Sequence, residues 1–361
     1  PSLIGKPVIV GGNAGRGVVT SCSYEARKFG VRSAMPSRQA AELCPQAIFV
    51  RGNMEDYSKY SRMVTEILKE RVPALEKASI DEHYIDMTGM DRFHDIMKFA
   101  QELRQRVINE TGLPVSFGLS VNKTMAKMAT NESKPNGELH VPKEAIPAFL
   151  HPLAIQKIPG LGKSASAKLI ERGILTIGAL ARISHDELVS FFGKNGSDVW
   201  KKANGVYDSP VVPYRERKSI GTQRTFHTDT VNTEGIKQLL TSMVTELTYQ
   251  LRTQRKLTSC VTVSIRYSDF ETHTQQVTVP YTSLDSILIH TAKELFEKAY
   301  DHKTLLRLVG VRLSGLIIGQ EQIGLFNSSE DQFNLYQAMD KIRDKFGEKS
   351  VKLASTMGIK L

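Results

Sequence analysis

The chain has 361 residues, 40% of them apolar and 24% charged, with a formal net charge of +10. That length supports two to four domains with real hydrophobic cores, and no apolar run reaches membrane-spanning length or reads as a secretory leader. Three well-separated cysteines, Cys22, Cys44 and Cys260, exclude a disulfide framework or a cysteine-only zinc site and suit a reducing cytoplasm. The positive charge favours a polyanionic partner such as nucleic acid, but it does not separate an enzyme from a passive binder.

The opening PSLIGKPVIVGG runs at once into a strand over 7–10, which reads as though a segment stands upstream of it. A second strand fits 18–23, and short helices fit 24–29, closed by Gly30, and 37–43. Tyr57, Tyr60, Val64, Ile67 and Leu68 carry a helical period through 55–71. A strand and hairpin follow around 77–88, then a helix over 92–110, a buried strand over 114–121 and a helix from 122. This alternation fits an α/β or α+β domain. From 143 the texture changes to short helices broken by glycines, with a helix, tight turn and helix over 157–180. DSPVVPYRER (208–217) carries two prolines and no apolar period, so it reads as a linker. Beyond it, strands over 218–226, 257–268, 273–280 and 304–313 and helices over 233–251 and 284–300 predict a second α/β unit. A last helical pattern covers 330–346.

Within this frame, SIDEHYID (79–86) sets Asp81 beside Glu82 among apolar residues, where two unpaired carboxylates repel and lose hydration. A divalent cation or an arginine would relieve them, and so would an exposed, salt-bridged turn. In an unbroken strand the two side chains diverge, so they share a site only if the strand turns there. SYEARKFG (23–30) puts Tyr24 and Arg27 three apart on one helical face, suited to a polyphosphate or to plain solvent. SKPNGE (133–138) offers Lys134 on a turn, again a phosphate partner or a surface charge. In PGLGKSASAK (159–168), Gly160 and Gly162 let backbone amides approach a phosphate, with Lys163 adding charge; packing alone would also account for the hairpin. RERKSIGTQRTF (215–226) adds Lys218 and Arg224 to a basic strand. EQIGLF (321–326) places Ile323, Leu325 and Phe326 in a polar tail, as a groove-binding peptide or a patch that packs back. Among nine histidines no metal-ligand spacing occurs, and His83 beside the acids has no assigned role.

Taken together, GKPVIVGG, RGVVTSCSYEARKFGVRSAMP, ASIDEHYID, PVSFGLSVNKTMAKMATNESKPNG, KIPGLG and RKSIGTQRTF resemble the Y-family of translesion DNA polymerases, in its bacterial form, from residue 1 to the end. The resemblance implies a multidomain right-hand fold of class α/β with an α+β palm. Its parts fall at palm 1–16 and 53–142, fingers 17–52, helical thumb 143–207, linker 208–217, a separate α/β little finger 218–330, and a C-terminal helix and tail 331–361. It implies template-directed, low-fidelity DNA synthesis from deoxynucleoside triphosphates by two-metal-ion nucleotidyl transfer, with Mg2+ as cofactor. Asp81 and Glu82 become catalytic carboxylates and metal ligands. Ser21, Tyr24, Arg27 and Lys134 become nucleotide contacts. Gly160, Gly162, Lys163, Lys218 and Arg224 become DNA contacts, and Gln322, Ile323, Leu325 and Phe326 a peptide for the bacterial sliding clamp. The expected protein is a cytoplasmic monomer. In the family a further metal-binding aspartate and a sugar-excluding aromatic residue precede the segment that opens here, so both are expected upstream of Pro1. The rival expectation is a non-catalytic DNA-binding or clamp-adapter protein that keeps the polymerase fold; an unrelated basic nuclease would share the metal chemistry but not the ordered motifs.

Overall fold

The computed structural model describes residues 2–12, 16–319, 329–348 and 350–358. The chain forms two compact units, Pro1–Arg215 and Glu216–Leu361. The first begins with β1 (Val8–Gly11), β2 (Val19–Cys22), α1 (Tyr24–Lys28), α2 (Ser37–Leu43) and β3 (Ile48–Val50). β1 lies between an antiparallel β2 and a parallel β3. Ile9, Val19, Cys22, Ala26, Val31, Ala40 and Cys44 close a small core beneath this sheet. Then come α3 (Met54–Lys69), the antiparallel hairpin β4 (Ala74–Lys77) and β5 (His83–Asp86), and α4 (Ile96–Thr111). Ile67, Leu68, Leu75, Leu103 and Val107, with partly buried Ile85 of β5, pack these four together.

Parallel strands β6 (Phe117–Ser120) and β7 (Glu138–Val141) flank α5 (Lys123–Ser133). Gly118 is obligatory in β6: a Cβ there would stand 2.3 Å from the Ala126 carbonyl oxygen, so its absence lets the strand lie against the helix. The helices α6 (Ile146–Leu150), α7 (Lys163–Ile170), α8 (Ile177–Ala181), α9 (His185–Phe192) and α10 (Lys194–Ala203) follow. They share one continuous core with α5 and β7, running from Met125 and Met128 through Leu150 and Leu169 to Ala203. The sequence boundary near 143 therefore marks a change of texture and not a break in packing.

The second unit holds β8 (Ser219–Thr230), α11 (Thr233–Thr253), β9 (Lys256–Tyr267), β10 (Thr272–Thr282), α12 (Asp285–Ala299), β11 (Leu306–Ser314), β12 (Ile317–Ile318) and α13 (Ser329–Phe346). Its sheet runs β10-β9-β11-β8, entirely antiparallel, with β12 added to β9. The long period-3.6 patterns of α11 and α12 bury Ile236, Leu240, Leu247, Leu288 and Phe296 against Val261, Val263, Val309 and Val311 of the sheet. α13 is seated by charge as well as packing. Buried Arg252 bonds the carboxylates of Asp285 and Asp340 at 2.6 Å each, and Tyr249 donates to Asp344 at 2.6 Å.

The helix expected over 92–110 begins later. Met90–Arg92 is a single 3-10 turn, and α4 starts only after Asp95, whose side chain caps the Lys98 N–H. Likewise the first half of the hairpin at 157–180 is one 3-10 turn, Ile155–Lys157. Among the described residues no helix is long and apolar enough to cross a membrane.

Candidate active site

Asp81 and Glu82 lie in neither strand. β4 stops at Lys77 and β5 starts at His83, and the acids occupy the turn between them, which is the break their chemistry needs. The turn is closed by its own bonds. The Ala78 and Ser79 amides donate to the Glu82 carbonyl at 3.0 and 3.3 Å, and Ser79 Oγ donates to Asp81 Oδ1 at 2.6 Å. Asp81 is exposed, while Glu82 is half-buried and ion-paired to Lys127 of α5. Among the described residues no three acidic, histidine or cysteine side chains gather to hold a metal. The two carboxylates are hard oxygen donors open to solvent, and such a pair fits an ion that keeps its waters and takes the rest of its ligands from a phosphate substrate.

His83 turns into the fold. Thr65 Oγ1 donates its hydrogen to the Ser61 carbonyl at 2.6 Å and accepts from Lys77 Nζ at 3.2 Å. The 2.9 Å bond between Thr65 Oγ1 and His83 Nε2 must then be donated by the imidazole. Burial, reinforced by the Lys77 charge and opposed by Asp81, holds the His83 pKa below its usual 6.5. His83 is a neutral ring that pins the start of β5 to α3.

The phosphate-binding candidates sit on two other elements. Ser23 caps α1, accepting the Ala26 N–H at 3.3 Å and the Val8 N–H of β1 at 3.0 Å, so the short helix is fixed to the sheet. That brings Tyr24 and Arg27 together, the guanidinium carbon 5.7 Å from the ring centroid. Arg27 Nε donates to the Cys22 carbonyl at 3.3 Å, which aims the fork. Ser21 is exposed in β2 opposite Val10.

Lys134 caps the C-terminal end of α5, exposed, ahead of the turn Pro135–Gly137. Asn136 has φ +46°, and Gly137 leaves no room for a side chain, since a Cβ would stand 2.1 Å from the Ser133 carbonyl oxygen. Arg104 of α4 holds the turn by bonds to the Asn136 carbonyl and side-chain oxygens at 2.7 and 2.8 Å. Lys127 and Lys134 are seven residues apart, so they share a helix face with about 10 Å of rise between them. α5 is thus the element that relates Lys134 to the acid turn. Neither Lys127 nor Arg104 carries a candidate role in the sequence, although Lys127 stands inside the stretch 114–137, seven residues before Lys134.

Gly160, with φ +86°, makes the turn before α7, and Gly162 occupies that helix's N-cap position without a capping side chain. Nothing lies within 4 Å of where a Gly162 Cβ would be, so its backbone faces open space, with exposed Lys163 following. The turn and α5 border a cleft of about 490 Å³ lined by Lys127, Met128, Asn131, Gln156, Pro159 and Gly160 among others. In the second unit Lys218 precedes β8 and Arg224 lies within it, both exposed. Gln322, Ile323, Leu325 and Phe326 lie outside the described residues.

Three segments match known families: 1–131 the impB/mucB/samB family, 143–174 its HHH motif and 217–325 its C-terminal domain. DNA polymerase IV of Streptococcus agalactiae is 38% identical over 331 residues, covering 90% of this chain and 91% of that protein. DNA polymerase IV of Dehalococcoides mccartyi is 37% identical over 364 residues, covering all of this chain and 93% of the other. Among solved structures, a Y-family DNA polymerase chimera of Dbh and Dpo4 superposes with a TM-score of 0.78 at 27% identity, covering 88% and 94% of the two chains. A Dbh ternary complex superposes at 0.62, with 26% identity and the same coverage. The chain belongs to the impB/mucB/samB family, the Y-family of DNA polymerases. That family's catalysis depends on divalent metal, which the oxygen-donor pair Asp81 and Glu82 suits.

Proposed function

We propose that this protein is a DNA-directed DNA polymerase of the translesion type, extending a primer from deoxynucleoside triphosphates. The observation that carries the reading is the acid turn: two adjacent carboxylates, freed from strand geometry, in a chain of this family. Asp81 and Glu82 would hold the divalent ion, which we take to be Mg2+. When bound, that ion supplies Lewis acidity toward the attacking 3′-hydroxyl and offsets charge on the leaving pyrophosphate. Arg27 presents a fixed fork to triphosphate oxygens, and Tyr24, stacked against it, a phenolic hydroxyl to the same group. Lys134 adds a point charge from a turn that Arg104 keeps rigid, and Ser21 a hydroxyl from β2. These donors are set before substrate arrives, so little reorganisation is needed during the reaction.

The open backbone at Gly162, with Gly160 and Lys163, would grip a phosphate of duplex DNA, and Lys218 and Arg224 would do so from the second unit. In this reading 1–16 with 53–142 is the palm, 17–52 the fingers, 143–207 the thumb and 218–330 the little finger. So short a fingers segment presses few side chains on the nascent pair, which favours damaged templates at the expense of fidelity. Gln322, Ile323, Leu325 and Phe326 would attach the monomer to a bacterial sliding clamp, and a DNA substrate places it in the cytoplasm. Deleting Leu325 and Phe326 should remove stimulation by the clamp and spare basal synthesis.

Primer extension by the full-length protein tests the proposal. Divalent-dependent extension that disappears in Asp81→Ala supports it; absence of extension by the wild type, or an unaffected Asp81→Ala variant, overturns it.

A further inference from the structure

Lys127 lies within the stretch 114–137 that carries the resemblance but has no role assigned to it there, yet it reaches the acid turn. Its ammonium pairs with Glu82 across 45 residues of chain, with 22% of its side chain exposed. The helix that carries it cannot drift. Asn122 caps its start, Met125, Met128 and Ala129 are buried beneath it, and β6 lies hard against it at Gly118. On the other side, Glu82 sits in a turn closed by its own backbone bonds. Both partners of the pair are therefore presented by rigid elements.

A divalent cation drawn to Asp81 and Glu82 meets this ammonium at the same carboxylate. Two cations on one carboxylate repel, and half-burial weakens the screening that water would provide. We propose that Lys127 is a built-in counter-cation: it neutralises Glu82 while no divalent ion is bound, and it yields the carboxylate when one arrives. It is a positioning residue. The assignment rests on the reading of Asp81 and Glu82 as the metal-holding pair. Lys127 also lines the cleft of about 490 Å³ beside the glycine turn, which gives the displaced side chain room. The arrangement keeps two adjacent acids compatible in the resting protein. It also weakens the site's hold on a lone ion, so that ion binding depends on the phosphates that accompany it.

The test is Mn2+ binding to the full-length protein without nucleotide or DNA, read from the electron paramagnetic resonance signal of the free ion. Lys127→Met should bind Mn2+ roughly three- to tenfold more tightly than wild type, the scale of a partly buried ion pair. Lys127→Gln, which can still hydrogen-bond Glu82, should gain as much, because charge and not the bond is at issue; Lys127→Arg should stay near wild type. In chelator, Lys127→Met should melt below wild type, and Mn2+ should restore more of its stability. Equal or weaker Mn2+ affinity in both neutral variants overturns the assignment. If that result accompanies Mn2+-dependent extension by the wild type, the polymerase reading stands and only Lys127 falls. Absence of Mn2+ binding in every form overturns the metal-holding role of the turn as well.

Discussion

Glu76 offers the sharpest test of how the first unit is held together. It is buried in β4, only 8% of its side chain exposed, and its carboxylate serves three donors. Lys123 Nζ reaches Oε2 at 2.7 Å, the Val212 N–H reaches the same oxygen at 2.8 Å, and Arg215 Nη2 reaches Oε1 at 3.2 Å. Lys123 is itself largely buried and donates onward to the Pro210 carbonyl at 3.0 Å. The segment expected to be a bare linker is therefore strapped, over residues 210–215, to a buried carboxylate. Glu76→Gln removes the charge and leaves Lys123 without its counter-ion. Breaking one side of such a pair costs about 3 kcal/mol, Arg215 adding little because it is mostly exposed. For a unit of this size that corresponds to a melting temperature lower by about 6–12 °C. Hydrogen exchange at the Val212 amide should accelerate with it.

The pH dependence has a definite sign. Burial pushes the Glu76 pKa up, but bonds from Lys123 and the Val212 amide, with the charges of Lys123 and Arg215, outweigh it and hold it below its usual 4.5. A depressed carboxylate contributes stability above its unfolded pKa and loses it as pH falls through the folded value. The gap between wild type and Glu76→Gln should therefore be full at neutral pH and narrow in acid below 4.5. A loss under about 1 kcal/mol at neutral pH, with unchanged exchange at Val212, would refute the reasoning.

Four further outcomes follow from local geometry. Gly162→Ala adds a methyl group into open space at ordinary backbone angles, so melting should be unchanged while duplex affinity falls, measured by fluorescence anisotropy. Gly160→Ala, at φ +86°, should instead cost about 1–2 kcal/mol of stability. Gly137→Ala drives a Cβ into the Ser133 carbonyl and should dislodge Lys134; steady-state kinetics should show nucleotide KM raised roughly tenfold, the scale of one charged contact, with a smaller change in kcat. Arg252→Met strands Asp285, 1% exposed, and should destabilise the second unit by about 3–5 kcal/mol in a melt that resolves it.

Much of the element order was legible because it is written in local periods. The apolar stripes of α4, α11 and α12 meet the cores their spacing called for, whereas in α3 Ile67 and Leu68 are buried while Tyr57 and Tyr60 of the same stripe stay exposed. β9 and β11 carry runs of consecutive buried residues. β3 was not legible. Its residues Ile48 and Phe49 are 37% exposed, so no alternation marks it, and it is a strand only because Val8–Val10 lies alongside. In the site, Tyr24, Arg27, Asp81, Glu82 and Lys134 stood out through dense motifs. Lys127 (although inside the 114–137 stretch), Arg104 and Glu76 did not, since nothing local names their partners, which lie 45, 32 and 47 residues away.

What the amino-acid order determined by itself was the set of chemical groups and the local shape that presents each one: a capped helix for Arg27, a glycine-bound turn for Lys134, a glycine turn before α7. Tertiary structure alone decided which charges meet. It ended two strands on either side of Asp81 and Glu82, gave Glu82 to Lys127, and turned His83 toward Thr65. The reason is physical: backbone preference acts over a few residues, whereas the pairing of charges depends on which elements the buried cores bring side by side.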